Sequence, residues 1–211
     1  MGRELIDFLK KKKKMNLIMV IANLVVFLVL EVLGSTEDVV FMYKHGAMLA
    51  PAVIGYKEYY RLFTCMFLHF GVEHLAYNML LLLFAGDLLE EKVGPVRYLI
   101  IYLMGGLAGN LLSFGVSMMT QNMAVSAGAS GAIFAVIGAL VCIVVKHHGD
   151  APGIDDRGLI TMCVLNLMQG FVNEGVDNMA HLGGALGGFL LALLLYKVKR
   201  YRAFNEWADE G

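Results

Sequence analysis

Long apolar runs alternate with short polar segments along most of the chain. A helix that crosses a membrane needs about 20 predominantly apolar residues, and several runs reach or approach that length. Backbone polar groups inside hydrocarbon must be paired within their own segment, and the period-two alternation that marks barrel strands is absent. The pattern therefore predicts six transmembrane helices, called spans 1 to 6, at residues 15–33, 70–89, 97–117, 128–145, 158–175 and 178–196.

Composition agrees with this prediction and argues against one class of partner. Of the 211 residues, 58% are hydrophobic and 17% are charged, whereas soluble domains carry about 25% charged residues. The stretch from Tyr98 to Val145 contains no Asp, Glu, Lys, Arg or His. We therefore predict an all-α polytopic membrane protein embedded in a lipid bilayer. The net charge of −1 argues against a nucleic-acid partner, because phosphate binding requires concentrated basic charge.

Basic residues near the span ends predict the orientation, because they collect on the cytoplasmic side of membrane proteins. Lys10–Lys14 precede span 1, and a second basic cluster follows span 6. Both termini are therefore expected in the cytoplasm, with the protein in the cell membrane. No signal-peptide cleavage pattern follows span 1, so this span is expected to be retained. The chain then divides into a basic N-terminus (1–14), a six-helix core (15–196) and a C-terminal tail (197–211).

Polar groups within the spans are candidates for function, because they are costly in lipid; a hydrogen bond between helices is the simpler alternative for any one of them. Span 2 begins with His69, His74 and Asn78. The last two are four residues apart and therefore project from one helix face.

Spans 4 and 6 each have a face of small residues, which predicts that the two helices pack closely together. In span 6, His181, Gly184 and Gly188 share a face, and small residues in this arrangement let a second backbone approach. In span 4, Ser130 and Phe134 share a face with further small residues. Packing these faces together would bring Ser130 to His181.

The predicted orientation places these groups at one depth, because spans 2, 4 and 6 all run from outside to inside.

A neutral imidazole in contact with a serine hydroxyl can accept its proton during attack on a carbonyl carbon. The backbone N–H of Ser130, with His74 and Asn78, could stabilise the oxyanion, since a helix N-terminus carries positive partial charge. Phe134 is expected to pack against the His181 imidazole. The residues thus indicate acyl transfer to water by a serine and a histidine, without an evident acidic third member.

Three motifs in order resemble the rhomboid family of intramembrane serine proteases. GASG at 128–131 is similar to the family's GxSG, AHLGGALGG at 180–188 to AHxxGxxxG, and HFGVEHLAYN at 69–78 to HxxxxHxxxN. The resemblance implies a six-helix rhomboid-like bundle, with no cofactor and no metal. It also implies cleavage of single-span or multi-span membrane proteins within their transmembrane segments, near the outer surface and at small residues such as alanine.

Transferred by position, the resemblance makes Ser130 the nucleophile and His181 the general base, with His74 and Asn78 as donors to the oxyanion. Glu90 matches a structural glutamate at the inner end of the second core helix. Arg61 matches the arginine of an outer-loop WR motif, although Tyr60 stands where Trp is usual. The remaining supporting residues of the motifs are Phe134, Gly128, Gly131, Gly184, Gly188 and His69.

Two segments outside the spans are expected to frame the site. The segment 34–69 contains Tyr56, Tyr59 and Tyr60, which are typical of an element at the membrane interface. The loop FVNEGVDN between spans 5 and 6 is predicted to act as a lid, with Gly175 supplying flexibility.

Other functions and sites remain as alternatives. A catalytically silent rhomboid-like protein would bind transmembrane helices without cutting them, but such relatives lack the serine or the histidine. A transporter would show broken helices in paired halves and buried charges at mid-membrane, and neither pattern is present. His147-His148 with Asp155-Asp156 could suggest a metal site, although a solvated loop is the more usual explanation. Cys65, Cys142 and Cys163 lack paired spacing, which favours buried free side chains.

Overall fold

The computed structural model describes residues 12–155, 157, 158, 161 and 175–198. In chain order its helices are α1 (Lys14–Leu33), α2 (Val39–Lys44), α3 (Ala50–Gly55), α4 (Arg61–Thr64), α5 (Gly71–Leu81), α6 (Asp87–Val93), α7 (Pro95–Thr120), α8 (Ser130–Lys146) and α9 (Asn178–Leu195). A 3-10 turn, Cys65–Phe67, follows α4, and a π-helical turn, Leu82–Gly86, joins α5 to α6.

The transmembrane helices agree with the predicted spans wherever the structure describes them. Among the described residues, four helices are long and apolar enough to cross a membrane, namely α1, the continuous helix Gly71–Val93, α7 and α9. The fifth, α8, is equally apolar but has only 17 residues. Predicted span 5, residues 158–175, lies almost wholly outside the described residues. The prediction of an all-α polytopic membrane protein is confirmed.

Backbones of α8 and α9 are in direct contact, because glycines on both helices leave no side chain between them. A Cβ atom added to Gly184 would lie 2.1 Å from the carbonyl oxygen of Gly131, and one added to Gly188 would lie 1.9 Å from that of Ala135. Gly138 on α8 approaches the carbonyl of Ala185 in the same way. The predicted close packing of spans 4 and 6 is therefore confirmed, and it holds the N-terminal ends of the two helices together.

A second row of glycines on α9 packs against α7. A Cβ atom on Gly183 would lie 3.0 Å from the Cα of Gly109, and one on Gly187 would lie 3.5 Å from the Cα of Gly105. This contact was not predicted from the sequence, although α7 contains the glycines that it requires. Because α7 and α9 both pack against α8, almost every residue of α8 from Gly131 to Ile143 is buried.

The N-terminus of α1 is capped by a carboxylate from another helix. Its first backbone N–H groups have no acceptor within the helix, and Lys13 at the N-cap position provides no side-chain hydrogen bond. Glu90, on α6, accepts instead from the backbone N–H groups of Met15 at 3.2 Å and Asn16 at 2.7 Å. Glu90 is buried. This contact gives the residue a structural role at this end of the helix.

Asn16 extends the same contact to α7 and to the π-helical turn. Its Nδ2 donates to the carbonyl of Leu82 at 3.0 Å and to the Asp87 carboxylate at 2.8 Å. Its Oδ1 accepts from the Tyr98 hydroxyl at 2.7 Å. A π-helical turn displaces the regular hydrogen bonds of a helix, and Asn16 provides a donor for the carbonyl at its start.

Replacing Glu90 with alanine is expected to lower the free energy of unfolding by about 1–3 kcal/mol, because one buried and one half-buried N–H group lose their acceptor. Thermal unfolding in detergent micelles measures the change. Glu91→Ala is the matched control, since the Glu91 carboxylate is half exposed and lies 3.4 Å from the Lys13 ammonium group, and an exposed ion pair contributes little. Equal losses of stability in the two variants would contradict the capping role of Glu90.

Arg61 connects distant parts of the segment between α1 and α5. Its guanidinium group is buried and donates to the Glu58 carboxylate at 2.6 Å and to the carbonyl oxygens of Tyr43 and Ala47. It also lies over the Tyr43 ring, 4.2 Å from the centroid. One side chain thus holds α2 and α4 together. The tyrosines expected at the membrane interface, Tyr56, Tyr59 and Tyr60, are exposed.

Candidate active site

The GASG segment lies between an extended strand-like stretch and the first turn of α8. Ser126 and Met48 form an antiparallel bridge with two backbone hydrogen bonds of 2.8 Å. Two residues further on, the Gly128 N–H donates to the carbonyl of Cys65 at 2.9 Å. The segment is therefore held by the part of the chain between α1 and α5, and Ser130 follows as the first residue of α8.

Gly128 has a conformation and a neighbour that both require glycine. Its φ of +146° lies in a region that L-residues rarely adopt, and an added Cβ atom would lie 3.0 Å from two atoms of the His74 ring. The His74 ring in turn meets His69 edge to face, with centroids 5.2 Å apart. A residue with a Cβ atom would be strained at this positive φ. It would also press against the His74 ring and displace the ring pair.

Ser130 and His181 are in contact at the N-terminal ends of α8 and α9. The Oγ of Ser130 lies 2.8 Å from Nε2 of His181, within hydrogen-bonding distance. Phe134, one turn further along α8, stacks on the imidazole with ring centroids 4.2 Å apart and an interplanar angle of 13°. The predicted packing of Phe134 against the imidazole is confirmed. The His181 ring is thus fixed on one face by Phe134 and at one nitrogen by the serine.

The hydrogen bond indicates which tautomer of His181 suits proton transfer. If the Ser130 hydroxyl donates to Nε2, that nitrogen carries a lone pair and Nδ1 carries the proton. Within the described residues, Nδ1 has no hydrogen-bond partner. The nearby carboxylate of Asp177 is engaged elsewhere, as it accepts from the backbone N–H of Ala180 at 2.9 Å and from the hydroxyl of Ser126 at 2.8 Å. Among these residues, therefore, no carboxylate hydrogen-bonds to the imidazole.

Residues 126–130 are called the serine segment, and His69 supports them from the turn that precedes α5. Its Nε2 accepts a hydrogen bond from the backbone N–H of Ala129 at 3.3 Å. Burial lowers the pKa of His69 to about 3, and the neighbouring His74 lowers it as well. The ring is consequently neutral near pH 7, and its Nε2 remains available as an acceptor for the residue that precedes Ser130.

His74 and Asn78 both face the same cavity from α5. The Asn78 side chain is buried, and its Nδ2 donates to the carbonyl of His74 at 2.9 Å. This bond uses one of the two N–H groups of the amide and leaves the second for another acceptor. The predicted placement of these residues on one helix face beside the serine agrees with the structure.

A cavity of about 670 Å³ lies over these groups, lined by residues from α5, α8, α9 and the segments before α8 and α9. The polar groups at its wall include Ser130, His181, His74 and Asn78. A volume of several hundred Å³ is typical of sites that bind small molecules or peptide side chains. Such a cavity can hold a short extended stretch of polypeptide and water next to the serine hydroxyl.

Several residues of the cavity wall were not predicted from the sequence. Asn110 on α7 lines the cavity and donates from Nδ2 to the carbonyl of Leu62 at 2.8 Å and to Cys65 Sγ at 3.1 Å. Ser113, on the same helix but outside the wall, bonds to the wall residue Asp177. The available signal was the presence of polar residues in a stretch without charges. Burial raises the pKa of the Cys65 thiol to about 12, with a smaller contribution from Asp177, so this thiol stays protonated and is a poor nucleophile.

Apart from Gly175, the other predicted features lie away from the cavity or beyond the described residues. Cys142 is buried and free, as predicted. His147 lies near the other end of α8, where its Nε2 is 2.8 Å from the Tyr196 hydroxyl. Asp156, Cys163 and the loop residues 171–174 lie outside the described residues, while Gly175 has a φ of +90° at the cavity wall.

The chain is similar to proteins of known family over most of its length. The family model described as Rhomboid domain matches residues 56–198. Rhomboid protease GluP of Bacillus subtilis (strain 168) is 33% identical over 188 residues, which cover 89% of this chain and 36% of that protein. RHOMBOID-like protein 1 of Arabidopsis thaliana is 37% identical over 165 residues, which cover 77% of this chain and 41% of that protein.

A shorter relative is matched over most of its own length. Putative rhomboid protease YdcA of Bacillus subtilis (strain 168) is 32% identical over 145 residues, which cover 69% of this chain and 71% of that protein. By contrast, the chain spans less than half of Rhomboid protease GluP and of RHOMBOID-like protein 1. A family match over more than half of the chain, together with relatives above 30% identity, shows that this protein belongs to the rhomboid family.

Proposed function

We propose that this protein is an intramembrane serine endopeptidase that cleaves transmembrane segments of other membrane proteins through Ser130 and His181. The observation that best supports the proposal is the 2.8 Å contact between Ser130 Oγ and His181 Nε2 at the wall of a cavity among apolar helices. The names of two relatives, Rhomboid protease GluP and Putative rhomboid protease YdcA, support the same class of reaction.

In the first half of the reaction, Ser130 Oγ attacks the carbonyl carbon of the scissile peptide bond. Its proton passes to Nε2 of His181, which thereby becomes an imidazolium. The tetrahedral intermediate collapses when the C–N bond breaks and the same Nε2 returns a proton to the leaving amine. Phe134, stacked on the imidazole at 4.2 Å, keeps the ring in the plane that both transfers require.

The oxyanion of the intermediate needs donors that are oriented before the reaction begins. The backbone N–H of Ser130 is one, because it belongs to the first turn of α8 and has no acceptor within the helix. The free N–H of the Asn78 amide and the imidazole of His74 are the others, as both residues line the cavity beside Ser130. The N-terminus of α8 adds a favourable positive partial charge.

In the second half, His181 accepts a proton from a water molecule as that water attacks the acyl-enzyme. It returns the proton to Ser130 Oγ when the ester C–O bond breaks. Water is scarce in hydrocarbon, so the site must be open to the outer aqueous phase. The substrate must also unwind, because a peptide bond within a helix is shielded from attack. These requirements favour cleavage near the outer surface. The resemblance to the rhomboid family further implies small residues such as alanine at the cleavage site, in single-span or multi-span membrane proteins.

The proposed topology follows from the same arrangement. Ser130 and His181 lie in the first turns of their helices, and the basic residues before α1 favour a cytoplasmic N-terminus. The site then faces the outside of the cell membrane, and both termini lie in the cytoplasm.

A fluorophosphonate probe tests the activated serine directly. We expect it to label Ser130 in the intact protein in micelles or bilayers, because Nε2 of His181 increases the nucleophilicity of the hydroxyl. The His181→Ala variant should lose labelling by about 10³-fold or more, as read by intact mass and peptide mapping.

Labelling of another serine, or undiminished labelling of His181→Ala, would contradict the proposed mechanism. A wild-type protein that neither reacts with the probe nor cleaves a substrate, while it still binds transmembrane helices, would identify it as a silent member of the family.

A further inference from the structure

Asp177 forms hydrogen bonds with three different parts of the fold next to the candidate active site. It is the N-cap residue of α9, where its carboxylate accepts from the backbone N–H of Ala180 at 2.9 Å. The same carboxylate accepts from the hydroxyl of Ser126, in the segment before α8, at 2.8 Å. It also accepts from the hydroxyl of Ser113, on α7. One side chain therefore joins α7, α9 and the serine segment.

Ser130 and His181 each lie four residues after a member of this hydrogen-bonded cluster. Ser130 comes four residues after Ser126, and His181 comes four residues, about one helical turn, after Asp177. Ser126 is itself fixed by its backbone bridge to Met48. A shift of α9 relative to the serine segment would therefore have to break the Asp177 contacts before it could separate Ser130 from His181.

A carboxylate suits this cluster better than an amide. All three neighbours donate to it, and an ionised carboxylate only accepts, so every contact has the correct polarity. Hydrogen bonds to an ionised acceptor are about twice as strong as neutral ones, and a negative charge is favoured at the N-terminus of α9. An asparagine would replace one acceptor oxygen with an NH₂ group and leave only neutral hydrogen bonds to the serine hydroxyls, which would loosen the link between α9 and the serine segment.

We propose that Asp177 is a positioning residue that keeps His181 in register with Ser130 by tying the N-terminus of α9 to the segment before α8. This inference rests on the proposed peptidase function. It concerns the distance between the reacting groups and involves no contact of Asp177 with the substrate. Small displacements of reacting groups are costly, since about 1 Å can lower a rate by about 10²-fold.

The test compares Asp177→Asn with a matched N-cap variant, Asp38→Asn. Asp38 caps α2 by accepting from the N–H groups of Val40 and Phe41 at 2.8 and 3.2 Å, and among the described residues its carboxylate does not bond to the serine segment. We expect Asp177→Asn to lower kcat on a model single-span substrate by about 10- to 100-fold with KM changed by less than about threefold. Fluorophosphonate labelling of Ser130 should slow by the same factor, and Asp38→Asn should leave both rates unchanged.

Variants of Ser126 separate positioning from general stability. Ser126→Ala should slow cleavage, whereas Ser126→Thr keeps the hydroxyl and should restore most of the rate. Ser126→Ala should cost much less in the Asp177→Asn background than in the wild-type protein, because the two residues share one contact. All rates are measured at a temperature where thermal unfolding shows each variant to be folded.

Four results would overturn the inference. They are equal rates for Asp177→Asn and Asp38→Asn, a rise in KM with kcat unchanged, failure of Ser126→Thr to restore activity, and losses explained entirely by a smaller folded fraction. A wild-type protein that neither reacts with the probe nor cleaves overturns the proposed function as well. A wild-type protein that cleaves while Asp177→Asn stays fully active overturns the positioning role alone.

Discussion

Replacing either Ser130 or His181 with alanine is expected to abolish cleavage of a model single-span substrate, with a fall in kcat of about 10⁴-fold or more. The expectation follows from the 2.8 Å contact between the two side chains, because neither group can perform the proton transfer without the other. The double variant should be no slower than either single variant, since residues that act as a unit are not additive. Cleavage is followed by gel electrophoresis and mass spectrometry of the products in proteoliposomes.

Cys142→Ala provides the matched control for these variants. Cys142 is buried in α8, the helix that begins at Ser130, so its replacement tests whether any small change in this helix abolishes activity. We expect Cys142→Ala to cleave at a rate close to that of the wild-type protein, and all variants to remain folded. Persistent cleavage by Ser130→Ala would refute the proposed role of the serine.

Replacing Gly188 with valine is expected to destabilise the protein by about 3 kcal/mol or more and to reduce its activity at the same time. An added Cβ atom at this position would lie 1.9 Å from the carbonyl oxygen of Ala135. Backbone atoms cannot rotate away as the end of a side chain can, so α8 and α9 must separate. Thermal unfolding in micelles and fluorophosphonate labelling of Ser130 measure the two effects.

Gly115→Val provides the comparison, because it makes the same substitution at another glycine within a transmembrane helix. A Cβ atom added to Gly115 on α7 meets nothing within 4 Å. Valine is no worse than glycine in helix propensity, so this variant should stay within about 0.5 kcal/mol of the wild-type protein. A similar loss of stability at positions 115 and 188 would show that backbone contact between α8 and α9 is not the cause.

Much of the helical core could be predicted from local patterns. Each transmembrane helix satisfies its backbone within its own segment, so an apolar run and its ends are enough to locate it, as for α1 and α7. The pairing of α8 with α9 was also predictable, because Gly184 and Gly188 mark a face that only another backbone can fill. The position of Ser130 and His181 at the starts of these helices then places them near each other.

The contacts that depend on distant parts of the chain could not be predicted in this way. Glu90 was assigned a structural role only by resemblance, and its hydrogen bonds to the start of α1 leave no local signal. No local pattern predicts the role of Asp177, because its partners Ser113 and Ser126 lie far from it in sequence. Polar side chains in a bundle can bond to any neighbour within reach, and only the packing of the helices determines which neighbour that is.

The amino-acid sequence alone therefore determined that the protein is an all-α polytopic membrane protein. It also determined five helices of the membrane core and the faces on which α8 and α9 pack together. These features depend on apolar length and on the spacing of small residues, both of which are properties of a single segment. The tertiary structure decided the tautomer that suits His181, the anchoring of the serine segment and the three bonds of Asp177. These depend on distances of about 3 Å between separate segments, which are set by the packing of the whole bundle and by no one part of the chain.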